Sequence, residues 1–219
     1  MIVDWYFDFV SPFAYLQSER LGGLGRGVSI RAKPDLFAGL LAANGQKGPA
    51  EIGAKRVFTY RFCVWQAKRL GIAFKFPPEH PFNPLPLLRL AIVCESSVDA
   101  VHEIFRYVWR DGHLPDLPIE WAELVAMLGV PDATARIAAP AVKDELRRNT
   151  DEAIARGVFG VPTLAVGDAL FWGADATEMA ADYIAAGCRF VDPEYARVAE
   201  LPVGASRREL RARQRVREA

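Results

Sequence analysis

Cysteine is scarce and scattered. Cys63, Cys94 and Cys188 are the three in a chain of 219 residues, and none stands in a Cys-x-x-Cys pair. An odd, widely spaced set excludes a disulfide framework and fits a reducing compartment. Net charge is missing too: 27 Lys and Arg residues balance 27 Asp and Glu. Composition therefore gives no sign of a nucleic-acid partner or of attraction to an acidic membrane surface. No apolar run reaches the roughly 18–20 residues that span a bilayer. The start, Met1-Ile2-Val3-Asp4, lacks the basic stretch of a secretory signal, so a soluble, cytoplasmic protein is expected. His80, His102 and His113 have no metal-ligand spacing, and no metal site is expected. Gly22, Gly23, Gly25 and Gly27 do not fit G-x-G-x-x-G, which argues against a dinucleotide site.

What is present is an ordinary globular balance, 51% hydrophobic and 25% charged, in a chain long enough to bury a core without staples. Residues 2–9 are dense in β-branched and aromatic types, broken only by Asp4 and Asp8, and read as a largely buried strand. Ser11-Pro12 starts a helix, with serine as cap and proline at the first helical position, and Gly22-Gly23 ends it. A second strand is expected at 28–32. From 36 to 156 helical patterns dominate, at 51–70, 86–95, 99–110, 118–128 and 140–156. A proline-rich stretch from Pro77 to Pro86 interrupts them. In the 99–110 helix, Val101, Ile104, Phe105 and Val108 fall on one face. At 157 the pattern returns to strands, 163–166 and 169–172, joined by a Gly167-Asp168 turn and followed by a helix at 175–186.

The order β-α-β, helical block, β-β-α is that of an α/β chain with a thioredoxin-like fold and a large all-helical insertion. Its expected units are a discontinuous thioredoxin-like domain (1–35 and 157–190), a helical insertion domain (36–156) and a C-terminal extension (191–219). The extension carries six arginines in its last 13 residues and reads as a solvated basic tail.

In that fold the tetrapeptide Ser11-Pro12-Phe13-Ala14 occupies the strand-to-helix turn where thioredoxin-like proteins place Cys-x-x-Cys. Free N–H groups at such a turn favour an anion. With Ser11 and Ala14 in place of both cysteines, no protein disulfide forms there. The Ser11 hydroxyl is instead suited to donate to a thiolate carried by a ligand, although Ser-Pro is also an ordinary helix start. Val161-Pro162 precedes a strand at the other end of the pattern. There a cis proline turns the backbone of Val161 toward an extended peptide.

Three blocks carry a family resemblance: residues 3–16, Val3 to Leu16; Gly157-Val158-Phe159-Gly160-Val161-Pro162-Thr163; and Phe171-Trp172-Gly173-Ala174-Asp175. In these the sequence resembles the 2-hydroxychromene-2-carboxylate isomerases and the kappa-class glutathione transferases, both of DsbA-like fold. The resemblance runs from residue 1 to about 187. It implies glutathione as cofactor, with Ser11 on the thiolate, Val161 and Pro162 on the cysteinyl part, Asp175 on the γ-glutamyl ammonium, and Gln46 in the loop before Pro49. It also implies a homodimer and a glutathione-dependent isomerase of small aromatic enone carboxylates, acting by reversible thiolate addition. Phe13, Lys47, Phe82 and Asn83 are the expected substrate-pocket residues. Two positions depart from the family pattern: Ala176 stands where arginine is common, and Gln46 where asparagine is. A kappa-type transferase or peroxidase, and a non-catalytic binding protein of the same fold, are the alternatives.

Overall fold

The computed structural model describes residues 1–204, and the Arg-rich tail lies outside them. Four strands form one mixed sheet in the order β2-β1-β3-β4. β1 (Ile2–Phe7) runs parallel to β2 (Ser29–Pro34) and antiparallel to β3 (Thr163–Val166), and β3 turns back into β4 (Ala169–Trp172). α1 (Pro12–Ser18) crosses from β1 to β2, and α9 (Ala176–Ala185) follows β4. Between β2 and β3 lie α2 (Phe37–Ala43), α3 (Gly53–Leu70), α4 (Leu85–Val93), α5 (Val98–Trp109), α6 (Pro118–Met127), α7 (Ala133–Arg136) and α8 (Pro140–Ala155). A last helix, α10 (Pro193–Ala199), lies in the C-terminal extension.

Apart from Asp4, β1 is apolar, because both of its faces are covered from Val3 onward. Val3, Trp5 and Phe7 point into the main core, and Tyr6 points the other way, into a smaller cluster with Leu40, Ala153 and Val161. The main core continues without a break into the helical block. Phe105 of α5, fully buried, meets Trp5, Phe7 and Phe9 at ring-centroid distances of 5.8, 5.5 and 4.6 Å. The face expected on this helix is the one observed: Val101, Ile104, Phe105 and Val108 are all wholly buried.

On the other face of the sheet, Asp4 is held by Arg31 and by Arg156, the residue closing α8 (2.6 Å). Tyr6 donates to Glu152 at 2.8 Å, and Lys33 meets the same carboxylate at 2.9 Å. These contacts pin the end of α8 to the strands on either side of the site.

Several boundaries differ from those read in the sequence; the first helix, for one, ends at Ser18, before Gly22-Gly23. β1 stops at Phe7, not at residue 9, because Asp8 folds the chain back: its Oδ1 accepts from the Val10 amide (3.0 Å) and its carbonyl from the Ser11 amide (3.0 Å). β2 extends through Pro34, which an edge strand tolerates because the missing donor faces no neighbour. Cys63 is fully buried, and burial pushes its thiol up to about 12, an inert state. Among the described residues no helix is long and apolar enough to cross a membrane, and no group of three or more His, Cys, Asp or Glu side chains could hold a metal ion.

Candidate active site

The turn from Asp8 to Ser11 is fixed from several directions. The Trp109 indole, at the end of α5, donates to the Phe9 carbonyl (2.9 Å). His80, from the proline-rich stretch, places Nε2 2.8 Å from the Val10 carbonyl. A carbonyl only accepts, so Nε2 carries the proton and Nδ1 is left to accept from the Tyr60 hydroxyl at 2.6 Å. Burial holds the His80 pKa below its usual value, which keeps this neutral tautomer. Ser11 follows, nearly buried, and its Oγ accepts from the Ala14 amide at 3.3 Å as the cap of α1.

A cavity of about 450 Å3 opens on this turn. Its size lies in the range of small-molecule sites, roughly 300–1,000 Å3. Ser11, Phe13, Gln46, Lys47, Phe82 and Val161 all line it. Gln46 and Lys47 are exposed at its rim, whereas Phe82 and Val161 are buried in its wall. The Val161–Pro162 bond is cis, and Val161 makes no backbone hydrogen bond among the described residues. A free N–H and a free C=O thus stand on the cavity wall beside the Ser11 turn.

Three of the residues singled out from sequence are not on this wall: Pro162, buried next to Val161, and Asn83 and Asp175. Asn83 is exposed, and its Oδ1 accepts from the Leu85 amide (3.1 Å) in a local turn before α4. Asp175 is exposed at the start of α9, beyond the wall residue Trp172. Its carboxylate lies over Gly173, where a Cβ would come within 2.5 Å of Oδ1 and where φ is +98°. The positive φ is what calls for glycine there, since the exposed carboxylate could move aside.

Several wall residues carry no local sequence signal. Tyr60, His80 and Lys55 join the site only through the fold; Phe159 and Trp172 also line it, and both stand in blocks that carry the family resemblance. Phe159 and Trp172 pack with ring centroids 5.0 Å apart, and a Cβ on Gly160 would fall 2.7 Å from the Trp172 indole nitrogen. The glycine of the Phe159-Gly160-Val161 turn therefore makes room for the indole.

Asp8 is the other residue that sequence reading left unassigned. Wholly buried, it forms part of the cavity floor, with Oδ2 accepting from the Phe37 amide (2.9 Å) as Oδ1 does from Val10. Burial pushes its carboxyl up to about 7 in spite of those two amides. Asp35, next along β2, is buried with neither oxygen hydrogen-bonded, and burial together with the Asp8 charge pushes its carboxyl well above the ordinary range. A folded-state pKa above the unfolded value of 3.8 means that stability falls as pH rises through that interval. Asp35→Asn removes the charge without removing a bond. Thermal melts are expected to show the variant more stable than wild type above neutral pH and little different below pH ~3, where the carboxyl is mostly protonated in both states. A variant destabilised at every pH would mean that Asp35 has a partner in solution.

Residues 2–185 match the family model described as DSBA-like thioredoxin domain. The chain belongs to this DsbA-like thioredoxin family. Within the family it is 33% identical over 196 residues to a 2-hydroxychromene-2-carboxylate isomerase of Pseudomonas putida, covering 86% of this chain and 97% of that one. It is 27% identical over 209 residues to glutathione S-transferase kappa 2 of Caenorhabditis elegans, covering 84% of this chain and 92% of that one. A solved 2-hydroxychromene-2-carboxylate isomerase superposes with a TM-score of 0.78 at 31% identity, over 86% of this chain and 97% of the other. A probable DsbA oxidoreductase of Streptomyces coelicolor, at 19% identity and a TM-score of 0.63, shares the fold. Among DsbA-like proteins this chain thus stands with the isomerases and kappa transferases, and it is an enzyme of that group.

Proposed function

We propose that this enzyme is a glutathione-dependent isomerase of small aromatic enone carboxylates. The observation that carries the reading is the pairing, on one cavity wall, of the Ser11 hydroxyl with the unpaired backbone N–H and C=O of Val161. An extended peptide ending at a thiol fits that pairing: the strand-like backbone of its cysteinyl residue meets Val161, and its sulfur meets Ser11. Bound there, glutathione supplies a thiolate that adds reversibly to a conjugated double bond and so permits rotation about it.

This chain's own residues do the rest. Ser11 donates its hydroxyl proton to the sulfur anion, a charge-assisted bond in a site largely shut off from water. Gln46 reaches the glutathione from the rim. Asp175, past the Trp172 edge of the cavity, receives the γ-glutamyl ammonium. Phe13 and Phe82 flank the aromatic ring of the substrate, and Lys47 meets its carboxylate. The neutral His80, bonded to Val10, keeps the turn from moving as charge develops. We read the protein as a cytoplasmic homodimer, in line with the family resemblance and with free, unpaired thiols.

Transfer, with the adduct retained, is the second reading, and the similarity to a kappa-class transferase favours keeping it. Calorimetric titration with glutathione, followed by a product assay on a conjugated aromatic enone, decides between them. Saturable binding with isomerised product and no loss of glutathione is expected. Consumption of one glutathione per product would make the enzyme a transferase, and turnover without glutathione would end the isomerase reading.

A further inference from the structure

Two buried carboxyls lie under the cavity, and the reaction as derived above uses neither. The strand register sets them side by side: Phe7 pairs with Pro34 in the parallel β1–β2 ladder, and the Asp35 amide donates to the Phe7 carbonyl at 3.0 Å. Asp8 and Asp35 are therefore the next residue on each strand, both at zero exposure. Their surroundings differ. Asp8 has two backbone amides on its carboxylate, which favour its anion. Asp35 has no donor at all, which favours its neutral acid.

Among the described residues no cation offsets either group. Around them α2 contributes the Phe37 amide and α8 contributes the Thr150 hydroxyl, which already accepts from Leu36 (3.0 Å) and donates to Leu146 (2.9 Å). The proline-rich stretch contributes the neutral His80, and the charged side chains of the cavity, Lys47, Lys55 and Glu51, are exposed. A buried pair with no cation holds one proton in preference to none, since two adjacent anions out of water are costly.

We propose, resting on the glutathione reading, that Asp8 and Asp35 are the proton store of this site: Asp8 takes up the proton that the thiol gives up at Ser11 and returns it when the thiol re-forms. In that step the S–H bond breaks, an O–H bond forms on the Asp8 carboxylate, and the negative charge passes from carboxylate to sulfur. Asp35 stays neutral throughout. The cavity carries the same total charge before and after, so a thiolate forms in a buried site without a proton having to leave it. An ordinary carboxylate is far too weak a base for a thiol of pKa ~8.5. Asp8, raised to about 7 by its burial, lies close enough for the proton to pass in either direction.

The test counts protons. Glutathione is titrated calorimetrically near pH ~8, where Asp8 starts mostly as the carboxylate, in two buffers of different ionisation enthalpy, and the ultraviolet band of the thiolate is followed alongside. Wild type is expected to show the thiolate band with a binding enthalpy independent of buffer. With Asp8→Asn, either one proton per glutathione enters the buffer or the thiolate band is lost. A wild type that releases a full proton to the buffer as its thiolate forms overturns the proposal. Because Asp8→Asn also alters a bond to the turn, a second measurement uses the free protein and Asp35→Asn. Infrared spectra of wild type should contain the carbonyl band of a buried protonated carboxyl at pH ~8, where Asp8 is mostly ionised, and Asp35→Asn should lack it. Absence of the band from wild type overturns the store whatever glutathione does. No binding of glutathione, with the band present, overturns the glutathione reading and with it this use of the pair.

Discussion

Ser11→Ala lowers the glutathione-dependent rate by on the order of 10²-fold, the usual cost of deleting one hydrogen-bond donor aimed at a reacting anion. The same change removes a helix cap, because Ser11 Oγ accepts from the Ala14 amide at 3.3 Å. Loss of a cap costs about 1 kcal/mol of stability. The two effects separate in the measurement: denaturant unfolding reads the cap, and steady-state kinetics with the thiolate absorbance of bound glutathione reads the donor. The expected pattern is a small stability loss, a large fall in kcat, and a bound thiol whose pKa moves back toward the free value of ~8.5. Ser11→Thr keeps the hydroxyl and should recover part of the rate. An alanine variant with full rate and an intact thiolate band would reduce Ser11 to the start of a helix.

Phe105→Ala is expected to destabilise the protein by about 3–5 kcal/mol, the range for truncating a buried aromatic ring. The position is severe because the ring is wholly buried and packs on three aromatic residues of β1 and the turn after it. Those contacts join the helical block to the sheet, so the loss falls on both. Denaturant unfolding followed by far-ultraviolet circular dichroism and by tryptophan fluorescence checks it. Trp109 reports on the helical block and Trp5 on the sheet, and coincident transitions are expected in wild type. A loss below about 1 kcal/mol would mean that the interface repacks around the cavity.

Much of the architecture was legible in the sequence because its signals are local. The run Ile2-Val3-Asp4-Trp5-Tyr6-Phe7 has the composition of a buried strand, Ser11-Pro12 has the chemistry of a helix start, and Val101, Ile104, Phe105 and Val108 trace one helix face. The placing of Ser11 and Val161 on one cavity followed from the order of the elements. Other features depend on distant pairings. His80 reaches a carbonyl 70 residues away, and nothing around Glu79-His80-Pro81 marks it for that contact. Asp8 and Asp35 look like two ordinary acidic residues until the parallel register sets them together. The short helix α7 and the helix α10 have too few periodic positions to be seen. Asn83 is an expected pocket residue on family resemblance, and its local setting is what occupies it, since its amide oxygen closes a turn on Leu85.

The β1 ladder also sets the order in which the molecule can be made. Its first partner, β2, is complete by residue 34, but its second, β3, begins only at residue 163. A ribosome therefore finishes the Ser11 turn early and must add the entire helical block before Val161 exists to face it. During that interval one edge of β1 stays unpaired, which is the situation in which nascent strands find wrong partners. Closure of so long a loop is slow, and the two halves of the binding wall meet only when it is done. The cavity wall that joins Ser11 to Val161 is thus among the last features to appear in a new chain, and a truncated one carries the serine without the backbone that faces it.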